Sequence, residues 1–364
     1  MMNGGGIDNQ TIDLSVGLRA LGHDVKLAVP EGCRLLPLVR DTGLKIETFP
    51  PKSWLKLAMI RHLNRIVRAW RPHILHVHQG RDYWPAILAA RLGLRGTRVV
   101  VTRHLMTRPR TVSRWLLLSF ADVVCVSKAV LAVQRRELRG PASRLHQIYC
   151  GIDTGKFQPA RSERALAFRR QQGWEEDHIV FGVVGACDLP RGKGQIEFVE
   201  AASQLRADFP HARYAIIGDG TLKPWLGKRA AALGLEQIVR FVPFNHEIPV
   251  IMSALDVLVH PAVGTEALGL VLWEGMASGK PLIASRLDGV PEAFVEGRHG
   301  FLVPPRDADA LAKAIRVLLT DVALREQFGE AGRRHVSEHF TREIQARRLS
   351  ELYERLVQQH QRPA

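Results

Sequence analysis

The sequence predicts two doubly wound α/β domains in tandem, on three observations. At 364 residues the chain exceeds one ordinary hydrophobic core, so two domains of roughly 100–200 residues are expected. Short apolar runs alternate with helical patterns from end to end, the signature of parallel sheets wrapped by helices. Near the middle, "IYCGIDTGKFQP" brackets polar residues with Gly151, Gly155 and Pro159 and reads as a linker. The expected division is an N-terminal domain over 1–157, a C-terminal domain over 158–340, and a closing helix over 341–364 that packs back toward the N-terminal domain.

Taken in order, the chain opens on Gly4 to Gly6 and runs into a helical pattern with Ile12, Leu14, Val16, Leu18 and Leu21 as its apolar face, ended by Gly22. A glycine loop of this kind normally follows a strand. Only two methionines and Asn3 precede it here, so the N-terminal sheet is expected to lack its first, central strand, with Met1 a late start. The strands expected next are "DVKLAV", "HILHVH", "RVVVT" and "ADVVCVS". The second domain supplies "HIVFGVVG", "RYAIIG", "IVRFV", "LDVLVH", "KPLIAS" and "GFLV". From "DADALAKAIRVLL" onward the pattern is helical. Two such domains direct the carboxyl ends of their strands, where ligands bind, toward one cleft.

Composition narrows the class. With 46% hydrophobic and 24% charged residues the chain reads as a soluble globular protein, and no apolar run reaches a membrane span. Cys33, Cys125, Cys150 and Cys187 are scattered with no Cys-x-x-Cys pair, which suits reduced thiols in a cytoplasm. The net charge of +15 is unevenly placed: residues 1–157 carry 25 Lys+Arg against 10 Asp+Glu, and residues 158–364 carry 26 of each. A basic domain beside a neutral one points to an anionic partner.

Two loops carry the chemistry. "HPAVGTEALGLVLWEGMASGKPLIAS" follows an apolar strand and starts a helix near Gly269, with Glu266 ahead of the helix and Glu274 inside it. The amides of Gly269, Leu270 and Val271 at that helix start form an anion site if free. Glu266 as a helix cap and Glu274 as a solvent-facing residue fit the same pattern. The second loop, "ACDLPRGKGQ", brings Arg191 and Lys193 to a glycine-rich turn, where cations suit phosphate oxygens.

These segments together resemble the retaining glycosyltransferases of family 4, which have the two-domain GT-B fold. The resemblance rests on "EALGLVLWE" (a Glu-x7-Glu segment), "GMASGKPLIAS", "DGVPE", "VVGACDLPRGKGQ", "YAIIGDG" and "CGIDTGKFQP", and covers nearly the whole chain. It implies an N-terminal acceptor-binding domain and a C-terminal domain that binds a nucleotide-diphosphate sugar, a co-substrate; no metal or other cofactor is expected. It makes Glu266 the carboxylate beside the transferred sugar and Glu274 the ligand of the ribose hydroxyls. Arg191 and Lys193 hold the diphosphate, although Gly192 splits the family's adjacent Arg-Lys pair. It places Gly5 and Gly6 near the donor phosphates. His104, ending "VVVTRH", reaches the sugar from the acceptor side. In "HVH", His76 and His78 are expected on alternating faces, with His78 toward the cleft.

The basic first half adds "SWLKLAMIRHLNRIVRAWRPH", with Trp54, Leu57, Ile60, Leu63, Val67 and Trp70 at helical spacing among arginines, and "RHLMTRPRTVSRWLLL". A basic amphipathic helix with aromatics suits an anionic membrane surface, whereas the same residues packed on a sheet leave only a solvated arginine face. The expectation is a cytoplasmic enzyme, peripheral on the inner face of the cytoplasmic membrane, that builds lipopolysaccharide or exopolysaccharide by transfer to a glycan or lipid-linked acceptor. A nucleotide-sugar epimerase of the same fold is the alternative. No nucleic-acid partner is expected, because no recognition motif accompanies the charge.

Overall fold

The structure, a computed structural model, describes residues 6–33, 36–49, 56–93, 96–159, 161–188, 192–244 and 247–361. The chain divides into two compact units, one of residues 1–152 with 340–364 and the other of residues 153–339. The linker segment is thus shared: Ile148 to Ile152 go with the first unit, and Asp153 onward with the second.

Unit 1 runs through α1 (Gly6–Ala20), β1 (Lys26–Pro30), α2 (Leu36–Asp41), β2 (Lys45–Phe49), α3 (Lys56–Trp70), β3 (Ile74–Val77), α4 (Tyr83–Gly93), β4 (Arg98–Arg103), α5 (Thr111–Phe120), β5 (Asp122–Cys125), α6 (Lys128–Glu137) and β6 (Leu145–Gln147). All its strand pairs are parallel, but they form two separate sheets: β1 with β2, and β3-β4-β5-β6. Val99 to Val101 and Val123 to Cys125 are buried because interior parallel strands are covered on both faces. In α1, Leu14 and Leu18 pack on Val100 and Val124, whereas Leu21 lies past the helix end and is exposed. Gly6 is the first residue of α1 rather than part of a loop, and Gly5 lies outside the described residues.

Unit 2 runs through α7 (Glu163–Gln171), β7 (Ile179–Val184), α8 (Gln195–Leu205), β8 (Ala212–Ile217), α9 (Lys223–Ala232), β9 (Val239–Val242), α10 (Ile248–Ala254), β10 (Val257–His260), α11 (Leu270–Ala277), β11 (Leu282–Ser285), β12 (Gly300–Val303), α12 (Ala308–Thr320) and α13 (Val322–His339). Its six parallel strands stand in the order β12-β11-β10-β7-β8-β9. The order reverses between β7 and β10, the place where ligands meet the carboxyl ends of such a sheet. Phe181, Val183, Tyr214 and Val259 are fully buried in the main core. Side-chain caps fix helix starts: Ser162 accepts from the Ala165 amide at 3.2 Å, and Asp307 from the Ala310 amide at 2.8 Å.

The last helix, α14 (Arg342–Gln361), belongs to unit 1, where Leu349, Leu352 and Leu356 join Leu14 and Leu18 in one core. Its entry needs a small residue beneath it. A Cβ on Gly151 would lie 2.2 Å from the Thr341 carbonyl oxygen. Two short strands escaped the sequence reading, β2 and β6, whose "KIETF" and "LHQ" are too polar and too short to stand out.

α3 turns part of its apolar stripe inward and leaves Leu57 exposed. Leu63 and Val67 are buried, Asn64 Nδ2 donates to the Ala89 carbonyl of α4 at 2.9 Å, and Arg61, Arg65 and Arg68 make the exposed face. This is the packed-helix arrangement rather than a free amphipathic face; Trp54 lies outside the described residues. On α5 the outcome is the reverse: Val112, Trp115 and Leu116 are exposed, as is Leu105 just ahead of it.

Candidate active site

In unit 2 the loops after β7 and β10, the two strands at the switch point, come together. The Val263 amide donates to the Gly192 carbonyl at 3.3 Å. Gly194 makes the approach possible: it has φ +78, and a Cβ there would lie 1.8 Å from the Pro261 carbonyl oxygen. Gly194 also starts α8, so the loop's last turn is set by the same residue. Lys193 lies beside it, its stem 3.1 Å from where a Gly185 Cβ would stand.

Lys193 Nζ donates to Glu266 Oε2. The same oxygen accepts from Nε2 of His260, the last residue of β10, at 3.2 Å. His260 is fully buried and burial holds its pKa below the ordinary value, so it is neutral with the proton on Nε2; its buried Nδ1 meets no donor. Burial works to raise the Glu266 pKa, but the His260 hydrogen bond and the Lys193 charge outweigh it and hold the carboxyl at about 2. The carboxylate is therefore ionised at every ordinary pH, with Oε2 committed twice over and Oε1 uncommitted among the described residues.

The backbone of Glu266 is clamped from a third loop. Its amide donates to Asp288 Oδ2 at 3.1 Å, and its carbonyl accepts from the Gly289 amide at 3.1 Å. Asp288 has φ +45, a left-handed conformation that costs a non-glycine residue of order 1 kcal/mol or more and here aims its carboxylate at the loop. After Glu266 the chain enters α11 at Gly269 with no side-chain cap, so the amides of Gly269, Leu270 and Val271 open the helix uncapped. Leu270, Val271 and Glu274 share the partly open face of α11, while Leu272, Trp273, Met276 and Ala277 are buried. Arg191 lies outside the described residues.

In unit 1, His104 follows β4 and His78 follows β3, so both stand at strand carboxyl ends. His104 Nε2 and His78 Nδ1 are 3.2 Å apart, one donating and one accepting. His76 and His78 do not alternate faces: residues two apart on a strand share a face, and their rings lie 4.3 Å apart. His76 is fully engaged, by the Tyr353 hydroxyl at 2.5 Å and by Thr102 Oγ1 at 2.6 Å. Burial pushes His78 down to about 4 and His76 and His104 well below the usual imidazole range, so the trio is neutral near pH 7. With both His76 nitrogens occupied, the three rings offer no convergent set of lone pairs to a metal. Among the described residues Glu175, Asp177 and His178 bring ligand-type atoms within 4.8 Å of one another. They precede β7, at the opposite end of that strand from Lys193, and His178 Nδ1 already accepts from the Glu175 amide at 2.8 Å.

Sequence reasoning passed over His260 and Asp288. The signal for His260 is the one that marked His104, a histidine closing an apolar parallel strand. Asp288 opens the "DGVPE" segment that carries the resemblance, but its hold on the Glu266 amide depends on a backbone conformation that the sequence does not show.

Comparison with known proteins places the chain among glycosyltransferases. The Glycosyltransferase Family 4 model matches residues 4–156 and the Glycosyl transferases group 1 model residues 166–335. Bacillus subtilis EpsD is 27% identical over 331 residues, covering 87% of this chain and 85% of its own. A GDP-mannose-dependent alpha-(1-6)-phosphatidylinositol monomannoside mannosyltransferase of Mycolicibacterium smegmatis is 28% identical over 348 residues, covering 92% of this chain and 84% of its own. Anabaena HepE, solved in complex with UDP and glucose, superposes with a TM-score of 0.84 at 21% identity, over 97% of each chain. Two α/β units of parallel strands, each matched by its own glycosyltransferase model, identify the chain as a member of the family 4 glycosyltransferases of GT-B fold.

Proposed function

We propose that the protein is a retaining, metal-independent glycosyltransferase that moves a sugar from a nucleotide-diphosphate donor bound in unit 2. The observation that carries this reading is the Lys193–Glu266–His260 constellation beside the uncapped start of α11. Rupture of the bond between sugar and phosphate builds positive charge at the anomeric carbon and negative charge on the departing diphosphate. Lys193 and the amides of Gly269, Leu270 and Val271 stabilise the departing charge, the work a metal ion does elsewhere. Arg191 is assigned the same role. Glu266 faces the sugar through Oε1, and Glu274 on the open face of α11 takes the ribose hydroxyls. His104 meets the sugar from the acceptor side. The acceptor attacks from the leaving-group face and its proton passes to the phosphate, so the anomeric configuration is kept.

Mannosyl transfer to a phosphatidylinositol mannoside by the Mycolicibacterium relative supports a lipid-linked or glycan acceptor of the bacterial surface, as in lipopolysaccharide or exopolysaccharide synthesis. No helix among the described residues is long and apolar enough to cross a membrane. We assign membrane docking to α5, where exposed Val112, Trp115 and Leu116 lie beside Arg108, Arg110 and Arg114. Proton NMR of the sugar released during donor turnover in EDTA tests the mechanism: the first-formed anomer is expected to match the donor, at an undiminished rate. An inverted anomer, or loss of turnover in EDTA, refutes it.

A further inference from the structure

β10 is an interior strand between β11 and β7, and its Val257, Leu258 and Val259 are wholly buried apolar residues. His260 is the one polar residue of that strand and is buried almost as completely. Residues 258 and 260 share a face, the one that α11 covers. Two glycines let the helix lie close. A Cβ on Gly275 would stand 2.5 Å from Leu258 Cδ2, and one on Gly269 would stand 3.5 Å from His260 Nε2. The imidazole is thus held between β10 and the start of α11, with Nε2 donating to Glu266 Oε2.

Packing alone does not account for a histidine at this position. Its Nδ1 is buried and unpaired among the described residues, a loss of stability that an apolar side chain of similar size does not carry. The nitrogen that is used is the one on Glu266. The two donors to Oε2 also differ in kind. Lys193 neutralises the carboxylate, is partly exposed on a flexible stem, and in the proposed function turns its charge to the departing diphosphate. His260 is neutral, so it holds Oε2 without cancelling the negative charge that Glu266 presents to the anomeric carbon. Asp288 and Gly289 fix the backbone of Glu266, which leaves the aim of its side chain to these two donors.

We infer that His260 is a positioning residue for the transfer, an assignment that rests on the function proposed above. By donating from Nε2 to Oε2 it keeps Oε1 of Glu266 turned to the sugar while Lys193 serves the diphosphate.

The test compares the full-length parent with His260→Met, His260→Asn and His260→Gln. Methionine fills the space without a donor. The asparagine amide stands near the place of Nδ1 and falls short of Glu266, whereas the glutamine amide reaches the place of Nε2. Nucleotide release without acceptor is followed on UDP-glucose, UDP-galactose, UDP-N-acetylglucosamine, GDP-mannose and ADP-glucose, and calorimetry gives the affinity for the matching nucleoside diphosphate. His260→Met and His260→Asn are each expected to lower kcat about 100-fold, the scale of a misplaced reacting group, with KM and nucleoside-diphosphate Kd within about threefold of the parent. His260→Gln is expected to recover kcat to within about tenfold of the parent, and His260→Met to melt no lower than the parent. A kcat for His260→Met or His260→Asn within threefold of the parent, a His260→Gln no better than His260→Asn, or a loss that falls on KM and nucleoside-diphosphate affinity overturns the assignment. A parent that releases nucleotide from none of the five donors contradicts the proposed function itself, a failure distinct from all three.

Discussion

Lys193→Met isolates the electrostatics of the site. Glu266 is held at about 2 against an ordinary 4.5, which corresponds to about 3 kcal/mol in favour of the carboxylate at 1.36 kcal/mol per tenfold change. A depressed carboxyl contributes stability in full above its unfolded pKa and loses it as pH falls through the folded value, so at pH 7 the whole effect is present. Removing Lys193 leaves the His260 hydrogen bond, and the Lys193 side chain is 28% exposed, so only part of the effect is lost. The expected cost is about 1–2 kcal/mol, within the range for a hydrogen bond to a charged group reduced by solvent screening. Urea unfolding of the parent, Lys193→Met, Glu266→Gln and the double variant at pH 7 gives the coupling directly, with buried Trp174 and Trp273 as reporters. A coupling near 1–2 kcal/mol is expected. Costs that add to within about 0.3–0.5 kcal/mol refute the pair.

Glu266→Ala is expected to remove most transfer while nucleotide-diphosphate affinity largely survives, and Glu274→Ala to weaken donor binding; calorimetry with the reverse order contradicts the assigned roles. The neutral histidine cluster gives unit 1 a pH dependence. Unfolded His78 takes up a proton below about 6.5 and folded His78 only near 4, so the stability it contributes above pH 6.5 is lost as pH falls. Between pH 6.5 and 5 the loss is about 2 kcal/mol, visible as faster exchange at β4 and reduced in His78→Gln; a pH-independent profile contradicts the burial argument. Trp115→Asp is expected to release the protein from anionic vesicles at physiological salt, and Leu57→Asp on α3 to leave binding unchanged; the opposite pattern returns the docking surface to α3.

What was legible in the sequence depended on period and on covalent neighbours. "HIVFGVVG" and "LDVLVH" stand out because interior parallel strands are apolar at every position, and they placed the loops that carry Lys193 and Glu266. β2 and β6 lack that run, since an edge or a short strand tolerates Lys45, Glu47 and Gln147. The helical stripe of α3 was plain, but whether its apolar side meets a membrane or α4 depends on tertiary contacts that spacing does not encode. Glu266 was legible as a carboxylate ahead of a helix. Its partner His260, six residues earlier, and the Asp288 clamp, 22 residues later, become visible only when the two loops are folded over one another.

The central claim is that unit 2 binds a nucleotide-diphosphate sugar through Lys193. Thermal unfolding of the parent and of Lys193→Met in the presence of UDP-, GDP- and ADP-sugars measures it most directly. One donor class is expected to stabilise the parent by about 2.7 kcal/mol at 100 times its Kd, and Lys193→Met by markedly less at the same concentration. Stabilisation by no nucleotide sugar, or equal stabilisation of the parent and Lys193→Met, contradicts the account.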